Sequence, residues 1–296
     1  MISGMATLTA GALASGQIAA AQSRHRRIGA LDLFSLSDGK LDLARSVFGP
    51  APNDRMPTHH GEKIFLGCSA WAIRTPTRLI LVDVGAGDAL QAPHPGTGQH
   101  PLALAQAGID PAAVTDVILT HLHPDHFGGL FGPGGTRRFS NAVVHVAEAE
   151  LRFCSDASAI DRLPAVQRAV GRVAHRFTTR PGYPLIPIPG QADLGEGVHL
   201  VPAPGHTPGH AVIWLASGDD QVVLLADTFL CGPLQLLHPG VTYQLDVDPG
   251  RAIATRMRIM DMIAIDRLRF AATHLETLSL GRLLRRPDGG YDFTPA

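Results

Sequence analysis

The segment Thr-His-Leu-His-Pro-Asp-His-Phe-Gly-Gly places His121, His123, Asp125 and His126 within six consecutive positions. Imidazole is the commonest metal ligand among side chains, and carboxylate oxygens extend the range of divalent ions a site can hold. In an extended segment side chains alternate with period two, so His121 and His123 project the same way. Pro124 then helps to turn the chain, and Asp125 and His126 follow it. One short loop can thus offer nitrogen to one cation and mixed nitrogen and oxygen to another. A single histidine in a loop reads as a solvated or locally bonded side chain, but four ligand-type residues crowded together read as metal chemistry.

A metal site needs three or more protein ligands, so partners are expected further along the chain. Three strand-like runs end in suitable residues. "PAPGHTPGH" presents His206 in a tight Pro/Gly turn, "VVLLADTF" presents Asp227 at the end of an apolar run, and "RFAATHLE" presents His274 in a similar place. A buried carboxylate such as Asp227 is costly unless paired or bound to a cation. With the loop they make a set of seven. His210 reads instead as a loop-stabilising residue, and His59 and His60 as a solvated loop.

These residues must be held by something, and the chain supplies alternating strand-like and helix-like pieces. Residues 63–74 alternate apolar and polar, residues 78–87 form an apolar run closed by glycines, and "DVIL" opens into the histidine cluster. "AVVHV", "VHLVPA", "AVIWLA" and "QVVLLAD" supply further strands. Helices are expected over 101–108, 147–154, 158–177 and 250–266. In the last, Ile253, Met257, Met260 and Ala264 recur at helical spacing as a core stripe, and Asp248 with Pro249 caps the first turn. Strands ending in polar loops with helices outside them imply an α/β architecture whose site collects at strand termini.

The 296 residues are 45% hydrophobic and 17% charged, with a formal net charge of −1. That describes a globular protein with no electrostatic reason to bind nucleic acid or an anionic membrane. "RLLRR" at 282–286 reads as a solvated surface segment. Cys68, Cys154 and Cys231 form neither an even set nor a CxxC pair, so they read as core residues. The segment 1–23 is uncharged and Ala-rich, too interrupted for a membrane span, and similar to a secretory signal without its basic start. The expected organisation is therefore a truncated signal peptide or tail over 1–21 and one catalytic domain over 22–296, exported to the periplasm or beyond. Loops 88–104 and 228–243 are apolar and Gly/Pro-rich, which makes Phe229, Leu230, Leu234 and Leu237 candidates for a pocket wall, a core or a subunit contact.

The whole set resembles the metallo-β-lactamase superfamily, whose HxHxDH motif stands here as His121, His123, Asp125 and His126, followed in order by His206, Asp227 and His274. The resemblance covers nearly all of the chain after residue 28. It implies an αββα four-layer sandwich with two divalent metal ions at one edge. By that likeness His121, His123 and His206 hold one ion, Asp125, His126 and His274 hold the other, Asp227 bridges them, and Asp83 orients the cluster. Zinc is the default for such a thiolate-free set, with manganese, cobalt or iron as alternatives. The order of segments resembles the branch containing methyl parathion hydrolase and related lactonases, although "HLETLSLGRL" departs from the sequence after the last histidine in that branch. The implied activity is hydrolysis of a lactone, ester or phosphotriester, with Asp125 and Asp227 as the acidic residues nearest the chemistry. Such an enzyme takes a small-molecule substrate, no nucleic acid and no membrane insertion, and the resemblance suggests a homodimer. An iron-dependent oxidoreductase of the same fold is the alternative.

Overall fold

A computed structural model of the chain describes residues 23–51, 63–275 and 278–296. The expected signal segment, His59 and His60 lie outside the described residues, as do Glu276 and Thr277 of the departing "HLET" stretch. Among the described helices none is long and apolar enough to cross a membrane.

Two seven-stranded sheets stack face to face, and each is continuous in sequence. The first holds β1 (Ser23–Ile28), β2 (Leu31–Ala44), β3 (Lys63–Arg74), β4 (Leu79–Val82), β5 (Asp116–Leu119), β6 (Val143–Ala147) and β7 (Leu185–Ile188), in that spatial order. Its first four strands run antiparallel and β4 to β7 run parallel. The second sheet holds β8 (Ala192–Asp193), β9 (Val198–Pro202), β10 (Ala211–Ser217), β11 (Asp220–Leu224), β12 (Arg269–Ala271), β13 (Gly281–Arg285) and β14 (Tyr291–Pro295). Only β11 and β12 are parallel within it.

Three apolar layers explain the stacking. Leu33, Ile73, Ile80, Val82 and Ile118 of the first sheet meet Leu200, Ile213, Val222 and Leu224 of the second. On the outer face of the first sheet lie α1 (His100–Gln106), α2 (Pro124–Phe127), α3 (Glu148–Ser155), α4 (Ala157–Asp161) and α5 (Ala165–Thr179), with Ala103, Leu104, Phe127, Cys154, Ala174 and Phe177 packed on Leu81, Val117, Leu119 and Val144. On the outer face of the second sheet α6 (Pro249–Ile265) sets Ile259, Met260 and Ile263 against Val212, Val223 and Phe270. This is the four-layer αββα sandwich that the resemblance implied.

Several local expectations are corrected. The single helix over 158–177 is two helices, because Pro164 removes a backbone donor and pushes its predecessor out of helical conformation. The strand over 78–87 stops at Val82, where Asp83 turns to a positive φ of 57°. "RLLRR" is mostly strand β13, its Leu283 buried against α6 while Arg282, Leu284 and Arg285 face out. The buried stripe of α6 runs through Ala252, Thr255, Arg256, Ile259, Met260 and Ile263, leaving Met257 41% exposed. Arg256 disguises that stripe, since an arginine scores as surface until its partners are known. All three cysteines are buried, Cys154 under the first sheet and Cys68 and Cys231 in a cluster with Leu66, Leu230 and Tyr243.

Candidate metal centre

The parallel strands β4 and β5 end side by side, so Asp83 and the loop 120–126 emerge together. In the second sheet the ends of β9, β11 and β12 bring up His206, Asp227 and His274. A backbone bond ties the two halves at this point, Ala211 N donating to Thr120 O at 2.9 Å, and within the first half Val84 N donates to His126 O at 2.8 Å. The turn carrying His206 is tight by necessity. Gly205 has φ 136°, and a Cβ there would lie 2.2 Å from Ala252 N, so only glycine lets the turn approach α6. Ala226, immediately before Asp227, is also held at a positive φ of 46°, a strained conformation of the kind that gathers at functional sites.

All seven residues named from the sequence come together. Ligand-type atoms of His121, His123, His206 and Asp227 lie within 4.8 Å of one another, and so do those of Asp125, His126 and His274. Asp227 stands between the groups: Oδ2 is 3.8 Å from His121 Nε2, 3.3 Å from His206 Nε2 and 3.4 Å from His274 Nε2, while Oδ1 is 3.2 Å from His126 Nε2. Asp125 Oδ2 lies 3.6 Å from His126 Nε2 and 3.5 Å from His274 Nε2. A tetrahedral cation with ligands at 2.0–2.1 Å requires its ligands to be about 3.4 Å apart, which these separations match. Buried polar atoms confirm the fit. His121 Nε2, His126 Nε2 and Asp227 Oδ1 make no hydrogen bond among the described residues, a costly arrangement unless something positive accepts their lone pairs.

The electrostatics point the same way. Burial, reinforced by neighbouring imidazoles, lowers His121 and His123 well below the usual range and keeps them as neutral lone-pair donors. Burial raises Asp227, but His274 and His126 outweigh it and hold the carboxylate well below its usual range. Burial is opposed by Asp227 at His126, His206 and His274, joined by Asp125 and Asp83 at His126, by Asp246 at His206 and by Cys68 at His274, so all three are raised, His206 to about 9. A potential negative enough to hold protons against burial also holds cations.

Around the cluster the outward nitrogens are fixed. Asp83 takes His126 Nδ1 at 2.8 Å and accepts from Thr120 N and Oγ1 at 2.9 and 2.8 Å, so it does orient the loop. His274 Nδ1 bonds Gly67 O at 2.8 Å, and His206 Nδ1 pairs with Asp246 Oδ1 at 3.0 Å. His210 is a loop residue as expected: Nδ1 donates to Ala203 O at 2.9 Å, leaving Nε2 to accept from Asp227 N at 3.1 Å. Burial lowers it to about 4, which keeps that acceptor lone pair free.

Four positions escaped sequence reasoning. Glu150 Oε1 accepts from Leu122 N at 2.9 Å, and its Oε2 accepts from Thr207 Oγ1 and Gly209 N at 2.7 and 3.0 Å, clamping both histidine loops to α3. Asp38, the extra residue of a bulge in β2, accepts from Ala86, Gly98 and His100 N–H groups. Asp246 and Arg256 hold the segment after Asp227. None carries a local motif, and only an acidic residue inside an apolar stretch hints at any of them.

Beside His274 opens an apolar cavity of about 400 Å³ lined by Leu66, Leu236, Leu237, Leu275, Tyr291 and Phe293. It corrects the expected pocket walls in part. Loop 88–104 contributes nothing to it, being drawn against Asp38, and Phe229, Leu230 and Leu234 are buried core residues. From that list only Leu237 faces the space.

This fold and site are those of the metallo-beta-lactamase superfamily, whose family model matches residues 64–274. The chain belongs to that family. A probable metallo-hydrolase of Mycobacterium tuberculosis is 31% identical over 216 residues, covering 63% of this chain and 68% of the relative. Metallo-beta-lactamase domain-containing protein 1 of Xenopus laevis is 32% identical over 161 residues, 53% of this chain and 54% of the relative. Among solved structures, the dizinc quorum-quenching lactonase AidC, in complex with a product N-hexnoyl-L-homoserine, superposes with a TM-score of 0.84 at 24% identity, covering 94% of this chain and 98% of that one. The hydrolase AbOPH of the beta lactamase superfamily gives 0.81 at 23% identity, with 93% and 97% covered. The cluster is a divalent-metal site in a metallo-hydrolase fold.

Proposed function

We propose that the chain is a dinuclear metallohydrolase acting on a lactone or ester that carries an apolar acyl arm. The observation that carries this reading is the pair of ligand groups sharing Asp227, placed beside the apolar cavity next to His274. His121, His123 and His206 would hold one divalent ion and Asp125, His126 and His274 the other, with Asp227 between them. Two such ions, zinc by default, supply a water acidic enough to attack at neutral pH and a Lewis acid for the carbonyl oxygen.

The protein's own side chains do the rest. Asp83, Asp246 and Gly67 O fix the imidazoles, so their orientation is set before substrate arrives. Asp125 is the least buried of the carboxylates in the cluster and so the one best placed to relay a proton to a leaving alkoxide. Tyr243 stacks on His206 with ring centroids 6.1 Å apart, and burial together with Asp125 and Asp227 raises its phenol well above the usual range, which keeps it a neutral donor at the edge of the site. The cavity volume falls within the roughly 300–1,000 Å³ of small-molecule sites, and its leucine and aromatic lining suits a hydrocarbon arm. AidC is described as a quorum-quenching lactonase and a further fold relative as a quorum-quenching N-acyl homoserine lactone lactonase, which supports this choice over a phosphotriester.

The test compares hydrolysis of a long-chain acyl-homoserine lactone with that of an aryl phosphotriester, using zinc-loaded and chelator-treated protein. A metal-dependent lactone rate well above the phosphotriester rate is expected. A faster phosphotriester reaction would make the cavity a leaving-group pocket, and no metal-dependent rate on either, with oxygen uptake in the presence of iron, would favour the oxidoreductase reading.

A further inference from the structure

Arg256 stands on the buried face of α6, within the second sheet's outer core, where a guanidinium is costly unless its donors are satisfied. Its partners all lie in the segment following Asp227. Nε donates to Thr228 O at 2.9 Å, and Nη1 to Pro239 O and Val241 O at 2.7 and 2.8 Å. Nη2 lies 3.9 Å from Asp246 Oδ2. Asp246 in turn accepts from Tyr243 N at 3.0 Å through the same oxygen and pairs with His206 Nδ1 through the other.

The consequence is geometric. Thr228 is the neighbour of Asp227, and Asp246 is the partner of His206, so one planar fork fixes the backbone beside one of these residues and the carboxylate behind the other. Between its two ends runs the stretch 232–237 that walls the apolar cavity. Gln235 stiffens the same loop from inside, accepting from Leu230 N at 2.8 Å and donating to Val241 O at 3.0 Å, the carbonyl that Arg256 also holds. A lysine could reach one of these acceptors but not three carbonyls and a carboxylate in a plane.

We infer that Arg256, acting through Thr228 and Asp246, is a positioning residue that sets His206 and Asp227 for the ion they share. The inference rests on the two-ion reading of the site. It is tested by titrating metal-free protein with cobalt(II), following the visible absorption that reports ligand geometry, and by competition for zinc with a chromophoric chelator. Arg256→Lys, which keeps the charge, should weaken the ion held by His206 by about 10- to 100-fold and alter its spectrum, with a smaller loss for the second ion, which shares only Asp227. Asp246→Asn should do the same from the other side of the chain of contacts. Ile259→Val, a neighbour on the same helix face that lowers stability without touching the network, should leave affinity and spectrum unaltered. Unchanged affinity and spectrum in Arg256→Lys would overturn the inference; should that variant fail to fold, unchanged values in Asp246→Asn would overturn it equally. Failure of the unsubstituted protein to take up two ions would instead refute the dinuclear reading itself.

Discussion

Removing the Glu150 carboxylate should cost the protein far more than its place on a short surface helix suggests. Its two oxygens are fully buried acceptors for Leu122 N, Thr207 Oγ1 and Gly209 N, and no other described group is positioned to take those donors. Burial pushes the carboxyl group up while the three donors pull it down, so it is held by contacts that only an acceptor can make. Each buried donor left without a partner costs about 1–3 kcal/mol, and since the Thr207 hydroxyl alone can re-aim, the two orphaned N–H groups mean that Glu150→Ala should lose about 2–6 kcal/mol. For a chain of this size that corresponds to a fall of roughly 3–10 °C in Tm. Glu150→Gln keeps one acceptor oxygen and should lose about half as much. Gly209→Ala attacks the same clamp from the opposite side, because a Cβ would come within 2.1 Å of Glu150 N. The assay is thermal denaturation of metal-loaded and metal-free protein. A Glu150→Ala variant melting within 2 °C of the unsubstituted protein in both states would show that the two histidine loops are held by something other than this clamp.

His100 is buried with neither ring nitrogen hydrogen-bonded among the described residues, and burial, helped by Arg138, lowers it to about 3. A depressed imidazole adds stability above its unfolded value near 6.5, and that stability is lost as pH falls from there toward 3. His100→Leu should therefore flatten the acid limb of a urea midpoint measured between pH 7 and pH 4, and an unaltered slope would assign that limb to other groups. Phe229→Ala should cost about 3–5 kcal/mol in urea denaturation because the ring is core. Leu237→Ala, at a position 41% exposed on the cavity wall, should leave stability nearly intact and raise KM for a long-chain substrate; the opposite pattern would exchange their roles.

The residues that gather at the candidate centre were legible because each carries its own local signal: a ligand-type side chain where an apolar strand run ends. Asp83 was legible only through the family resemblance. What could not be read were the groups defined by partners distant in sequence. Glu150 meets residues 28 and 57 to 59 positions away, and Asp246 meets His206 across 40. Arg256 went further and misled, since counting it as polar rotated the expected stripe of α6 onto Met257. The strands β1 and β2 were not marked either, as β1 is an exposed edge of charged residues and β2 is interrupted at the Asp38 bulge, which breaks the alternation that identifies strands. The cavity was half legible: its apolar loop was visible in the sequence, but which of four hydrophobic residues faces inward depends on the π-helical turn over Gly232–Leu236.

Each sheet is built from an unbroken stretch of chain, 23–188 and 192–295, joined only through Pro189, Gly190 and Gln191. The first stretch owns His121, His123, Asp125 and His126, and the second owns His206, Asp227 and His274. Neither stretch alone carries a complete set, so the centre comes into being only when the two halves dock. A polypeptide nicked in that three-residue joint would consist of two fragments whose reunion strengthens with metal concentration, and the ion would then serve as the clasp between halves as well as the reagent.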